Sequence, residues 1–184
     1  MTYKTAWRMC HEIRKYMGVV DGEAPLGGAG SIVEVDETLI GGSIEGKGRG
    51  YKAVVAGMKE RGGKVRTEVV TSRHRAPMEA VTLNDVMPGA TVSADEFGSY
   101  RRLDDLGFDR MTVRHNAGQF VTHNGAGTNG IEGYWAQLKR GINGTHIHVG
   151  AKYLPKYLGE FEYGYNMRHL PHLMLDRLLV SLPR

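Results

Sequence analysis

Apolar residues recur along this chain in two periods, and the switch between them outlines the fold. From Thr2 to Met17 the apolar positions Ala6, Met9, Cys10, Ile13 and Met17 fall at three- and four-residue spacing. Arg8, Glu12, Arg14 and Lys15 lie largely elsewhere, so the segment predicts a helix. Gly18 to Ser31 carries six glycines or prolines among fourteen residues, which predicts a linker or turn region. Short β-branched runs follow and predict strands at Ile32–Asp36, Ala53–Met58, Lys64–Thr71, Thr91–Ala94 and Met111–His115. Arg61-Gly62-Gly63 reads as a hairpin turn, and the Gly-rich stretch from Gly41 to Gly50 as a connection between strands. Helices are expected at Met78–Asp85, Tyr100–Leu106, Ile131–Arg140, Lys152–Met167 and His172–Ser181, the last two separated by Pro171. Three strands, a helix, a strand, a helix, a strand and then helices make a mixed α/β order.

Composition narrows the class without fixing it. At 184 residues the chain fits one domain with at most a short appendage, and a hydrophobic fraction of 41% supports a real core. No apolar stretch approaches the ~18 residues of a membrane span, and the first residues lack the apolar core of a signal peptide. A single cysteine, Cys10, excludes an internal disulfide framework and a cysteine-based zinc ribbon within this chain. A cytoplasmic protein is the expectation. The net charge of +4 suits a nucleic-acid partner, although charge alone decides nothing.

The candidate chemistry lies in three acids. Asp36 in IVEVDETLIGG and Asp95 in ATVSADEFGSY each close a β-branched run, and Glu132 in TNGIEGYWAQLKRG lies on a helical pattern. A buried lone carboxylate is costly unless it is paired, hydrogen-bonded or bound to a metal. Carboxylates delivered by two strands and a helix suit Mg²⁺, a hard cation that takes oxygen ligands. A pair of such ions can activate the attacking group and stabilise the leaving oxygen of a phosphodiester. For each acid alone, the alternative is a turn or helix cap. Glu34, Glu37 and Glu96 compete for the same role, and Glu34 shares a strand face with Asp36 because side chains alternate.

Other residues speak less clearly. Glu132 and Lys139 are seven apart, close to two helical turns, and so share a face. Lys139 is either a contact to a DNA phosphate or a solvated charge, while Trp135 reads as core rather than a base-stacking residue. His146 and His148 in GTHIHVG alternate as extended residues do, which suits a surface or DNA-contacting role better than a zinc pair. His115 and His123 flank the loop before Glu132 and read as structural histidines. The glycine-rich stretches match neither a P-loop nor a dinucleotide fingerprint.

With these residues in view, the chain resembles the catalytic domain of bacterial insertion-sequence transposases of the DDE type. The segments that carry the resemblance are VEVDETLIGG, GYKAVVAGMKERGGKV, SADEFGSY, VRHNAGQFV, TNGIEGYWAQLKRGINGTHIHV and KYLPKYLGEFEYGYNMR, running from about Ile32 to Arg168. The opening YKTAWRMCHEIRKYM looks like the last helix of the helix-turn-helix that precedes such domains. The resemblance implies a ribonuclease-H-like, retroviral-integrase-like α/β fold: a mixed five-stranded sheet flanked by helices, with a short N-terminal helix and C-terminal helices. It implies a division into a helix-turn-helix remnant at 1–18, a linker at 19–31 and the catalytic domain at 32–184. The usual zinc ribbon and most of the helix-turn-helix are expected to be lacking.

The implied activity is cleavage at transposon ends and joining of the freed 3′-hydroxyl to target DNA, dependent on Mg²⁺ or Mn²⁺. Asp36, Asp95 and Glu132 match the metal-binding acids, and Lys139 matches the basic residue that follows the glutamate. Lys139, Arg140, His146, His148 and Lys152 are the expected DNA contacts. Terminal inverted repeats and target DNA are the expected partners, with a homodimer or higher oligomer assembled on them. The chain departs from the family at Gly127, Tyr153 and Gly164, where histidine, histidine and arginine are common. Two other readings stand beside this one: a catalytically silent DNA-binding remnant, and a metal-dependent nuclease without strand transfer. A glycosidase built on paired carboxylates is a distant further option.

Overall fold

The β-branched run at Ile32 becomes the central strand of a five-stranded mixed sheet. The computed structural model describes residues 1–21, 24–41, 52–95, 100, 102–113 and 127–181. The strands are β1 (Ile32–Ile40), β2 (Ala53–Glu60), β3 (Val65–Val70), β4 (Thr91–Asp95) and β5 (Asp109–Val113), and the helices are α1 (Tyr3–Asp21), α2 (Arg75–Asp85), α3 (Asn129–Gly141), α4 (Leu154–Asn166) and α5 (Met174–Ser181). The sheet order is β3-β2-β1-β4-β5. β1, β2 and β3 form an antiparallel meander, whereas β4 and β5 add in parallel on the other side of β1. This is the ribonuclease-H-like arrangement that the sequence implied.

Alternation along β1 sorts its side chains onto two faces. Val33 and Val35 join Met58, Met78, Val81 and Val92 in a core beneath α2. On the opposite face Val55, Val65, Ile131, Trp135, Leu138 and Leu158 make a second core beneath α3 and α4. The β2–β3 hairpin closes through Arg61 to Gly63, with Gly62 at φ 76, a left-handed conformation that favours glycine. The edge strand β3 is covered by α4. Glu162 and Asn166, one helical turn apart, accept the backbone N–H groups of Thr67 and Val65 at 2.8 Å each. An exposed strand edge would otherwise template pairing with another chain.

β1 runs four residues past the expected end at Asp36 to Ile40, which puts that acid in mid-strand, and the structure differs from the sequence expectation at further places. Gly18 does not open a linker; α1 continues through it to Asp21. A Cβ on Gly159 of α4 would lie 2.7 Å from the Gly18 Cα, so the two glycines let α1 and α4 cross almost in backbone contact. Tyr100–Leu106 yields only a short 3₁₀ turn at Asp104–Leu106, and α5 begins at Met174 after a second such turn at Pro171–Leu173. His146 and His148 do not share an extended run, because α3 continues into a π-helical turn over Ile142–His146 and Ile147 then breaks the chain direction at φ 61. The stretch expected at Gly41–Gly50 falls mostly outside the described residues. At Gly164 the helix continues, and the missing side chain leaves open space rather than a contact.

His11 sits in the seam between α1 and α4. It is buried among Trp7, Tyr153 and Tyr157, and its Nδ1 has no hydrogen-bond partner. Burial, then Lys156 and Arg14, hold it below its ordinary value of 6.5, against Glu12 and Glu160. A lowered histidine contributes stability that is complete above pH 6.5 and is lost as pH falls through the folded value. Amide protection across α1 should therefore fall on acidification below pH 6.5 by more in the parent than in His11→Phe; hydrogen exchange against pH on both proteins checks the difference.

Candidate metal centre

Asp36 and Asp95 come together because β1 and β4 are parallel neighbours. The register pairs Ile32 with Thr91, Val33 with Val92 and Glu34 with Ser93. Continued along the strands, it brings Asp36 level with Asp95, and both point to the α3 face. The two carboxylates repel one another. Asp36 is pushed up to about 6, chiefly by burial and next by the Glu37 charge, with a smaller push from Asp95. Hydrogen bonds from the Glu37 backbone and from Trp135 pull the other way. A partly buried carboxylate held up by two acidic neighbours is a place where a cation would be stabilised.

The competing acids have other duties. Glu34 is buried, and its Oε2 accepts the backbone N–H of Ile131 at 2.9 Å while its Oε1 accepts Arg61 Nε at 3.2 Å. It thus satisfies one of the orphan N–H groups in the first turn of α3. A side chain on Gly130 would collide with Glu34 Oε2 and Lys59 Nζ, so that glycine opens the path. Glu37 points to the α2 face. Arg73 donates to it from Nε and Nη2, at 3.0 and 2.7 Å, and the Tyr100 hydroxyl donates at 2.7 Å. Both acids are neutralised in place.

α3 runs alongside β1 in the same direction. Ile131 meets Glu34 and Trp135 meets Asp36, so four helical residues span what two strand residues span, about 6 Å each. Glu132 lies in the first turn of that helix, exposed, and its Oε1 accepts the Thr128 hydroxyl at 2.8 Å. The structure brings Asp36 and Asp95 together but does not add Glu132 to them. Among the described residues no three histidine, cysteine, aspartate or glutamate side chains are placed to hold one metal ion. The hydrogen bond to Thr128 keeps the Glu132 carboxylate on its own helical turn. Glu96, His115 and His123 lie outside the described residues.

The basic candidates extend beyond the acids. Lys139 and Arg140 are exposed in the last turn of α3, and His148 and Lys152 are exposed just after it. His146 is half-buried edge-on against Tyr157, with Glu160 at 3.9 Å. Reading the sequence missed Gly57, whose absent side chain seats Trp135 over β2, and Arg73 and Tyr100, which hold Glu37. A glycine within a strand pattern signals close approach of another group, and that was the clue in AVVAGMKE.

A family model described as the ISXO2-like transposase domain matches residues 25–166, well over half of the chain. The chain belongs to that family. No curated protein and no solved structure gives a significant match. The match spans all five strands and α2 to α4, and it contains Asp36, Asp95, Glu132 and Lys139. The resemblance to insertion-sequence transposases is therefore borne out, and family membership implies a transposase-type enzyme that acts on DNA. No helix among the described residues is long and apolar enough to cross a membrane.

In this transposase domain Glu34 fixes the start of the helix that carries Glu132. Glu34→Ala should cost about 2 kcal/mol, because it leaves the buried N–H of Ile131 without its acceptor. Urea unfolding measures this, and a loss below about 1 kcal/mol would show that Glu34 does not anchor the helix.

Proposed function

We propose that this chain is the catalytic domain of a DDE-type transposase that cleaves DNA at transposon ends and joins the freed 3′-hydroxyl to target DNA. The observation that carries the reading is the Asp36–Asp95 pair at the parallel β1–β4 junction, inside the span matched by the transposase family. The donor chemistry fits a divalent cation. All candidate ligands are carboxylate oxygens, and Asp36 has a proton affinity raised by burial and by like charge.

Mg²⁺, with Mn²⁺ as substitute, is the proposed ion, and Asp36, Asp95 and Glu132 are the residues proposed to hold it. Such an ion, when bound, supplies activation of the attacking hydroxyl and stabilisation of the leaving 3′-oxygen. The chain's own contribution is placement. The parallel strands β1 and β4 supply Asp36 and Asp95, and Glu132, in the first turn of α3, is proposed to join them when the ion and DNA are bound. Lys139 and Arg140, with His148, Lys152 and His146, form the proposed track for phosphates. The first four are exposed, Lys139 and Arg140 in the C-terminal turn of the helix that bears Glu132 and His148 and Lys152 after it. Residues 1–18 are proposed as the end of a helix-turn-helix unit, and pairing of two DNA ends makes a dimer or higher assembly the working form.

The test uses duplexes bearing the inverted repeats that flank the chain's own coding sequence. Mg²⁺-dependent nicking and strand transfer are expected, and Asp36→Asn, Asp95→Asn or Glu132→Gln should each abolish both while DNA retention persists. Lys139→Ala should weaken retention and lower the salt slope of binding by about one. Nicking without joined products would instead support a nuclease. Retention without either would support a silent DNA-binding remnant.

A further inference from the structure

The ring of Trp135 occupies a slot made for it. A Cβ on Gly57 would lie 2.3 Å from Trp135 Cζ2 and 2.4 Å from Cη2, so no other residue at position 57 leaves room for the indole. Gly57 is the cross-strand partner of Asp36. A glycine inside a strand costs stability through lost packing and greater freedom when unfolded. Here it lets the ring approach the β2 backbone closely, with Nε1 donating to Asp36 Oδ2 at 3.0 Å. Trp135 is 4% exposed, and a buried indole N–H needs an acceptor, for which a backbone carbonyl would serve. This one is instead aimed at the carboxylate that the proposed cation requires. A second donor to Asp36 is the Glu37 backbone N–H.

We propose that Trp135, seated on Gly57, is a positioning residue for the cation site: its N–H holds Asp36 Oδ2 so that the carboxylate meets the cation through one oxygen. The inference rests on the metal-dependent reading above. One-oxygen coordination suits a small six-coordinate ion such as Mg²⁺ or Mn²⁺, whereas Ca²⁺ readily takes carboxylates through both oxygens. Hydrogen-bond partners of metal ligands set ligand orientation, and their loss costs roughly ten- to a hundredfold in metal affinity. Trp135 therefore controls both how tightly the site holds its ion and which ion it prefers.

The test starts from Trp7→Phe, which leaves Trp135 as the single indole of the two tryptophans. In that background Trp135 is replaced by β-(3-benzothienyl)alanine, which keeps the ring shape and substitutes sulfur for N–H. Free Mn²⁺ is followed by electron paramagnetic resonance, with Ca²⁺ as competitor. The parent should bind Mn²⁺ at a site that Asp36→Asn removes, with Ca²⁺ competing only in large excess. The sulfur variant should bind Mn²⁺ about tenfold more weakly, and Ca²⁺ should compete at a correspondingly smaller excess.

Unchanged affinity and selectivity in the sulfur variant would make Trp135 a packing residue and overturn the inference, with the metal reading intact. Weaker Mn²⁺ binding with unchanged Ca²⁺ competition would overturn the one-oxygen claim. A parent that binds no Mn²⁺ would overturn both readings.

Discussion

A strand through the centre of a sheet tolerates buried carboxylates only where each finds compensation, and β1 carries three within the four positions from Glu34 to Glu37. The surrounding structure is arranged to meet that demand. Glu34 is answered by the first turn of α3 and by Arg61. Glu37, on the other face, is answered by two donors of Arg73 and by the Tyr100 hydroxyl. Among the described residues Asp36 receives two neutral N–H donors, one from Trp135 and one from the Glu37 backbone, and it lies beside Asp95 of the neighbouring strand. Its charge is the one left undercompensated, which is why burial and like charge raise it to about 6. The difference between a structural acid and a candidate ligand is therefore visible in what each acid is given as a partner.

The same logic ties the helical layer to the sheet. Glu34 sets where α3 begins, Gly130 leaves the backbone open to it, and Gly57 leaves room for the helix's tryptophan. These contacts fix the rotation of α3 about its axis, and with it the position of Glu132. On the far edge, Glu162 and Asn166 of α4 close the β3 backbone. Gly18 and Gly159 bring α1 against α4 at the same time. Helix placement here follows from polar anchors and small residues as much as from the apolar cores.

Much of this was legible in the residues. The β-branched runs gave the strand positions, and the order of elements gave the mixed α/β class. Alternation along IVEVDE correctly placed Glu34 with Asp36 on one face. What could not be read was tertiary in origin. Gly18 looked like a chain break because a glycine at a helix crossing has the same local signature as one in a turn. Gly57 within AVVAGMKE signalled a close approach, but not that the group approaching is a ring from α3, far along the chain. His146 and His148 alternated like strand residues, yet a π-helical turn and the break in chain direction at Ile147 override that pattern. Trp135 was read as core, and it is; its N–H bond to Asp36 depends on strand register that no local window contains.

The central claim is that β1 and β4 deliver Asp36 and Asp95 to a common cation, with Trp135 steering the first of them. Anomalous diffraction from crystals soaked in Mn²⁺ tests it most directly. The account predicts a peak bridging the Asp36 and Asp95 carboxylates, with the Trp135 N–H still on Asp36 Oδ2. A peak elsewhere, or no peak with both carboxylates ordered and side by side, would contradict it.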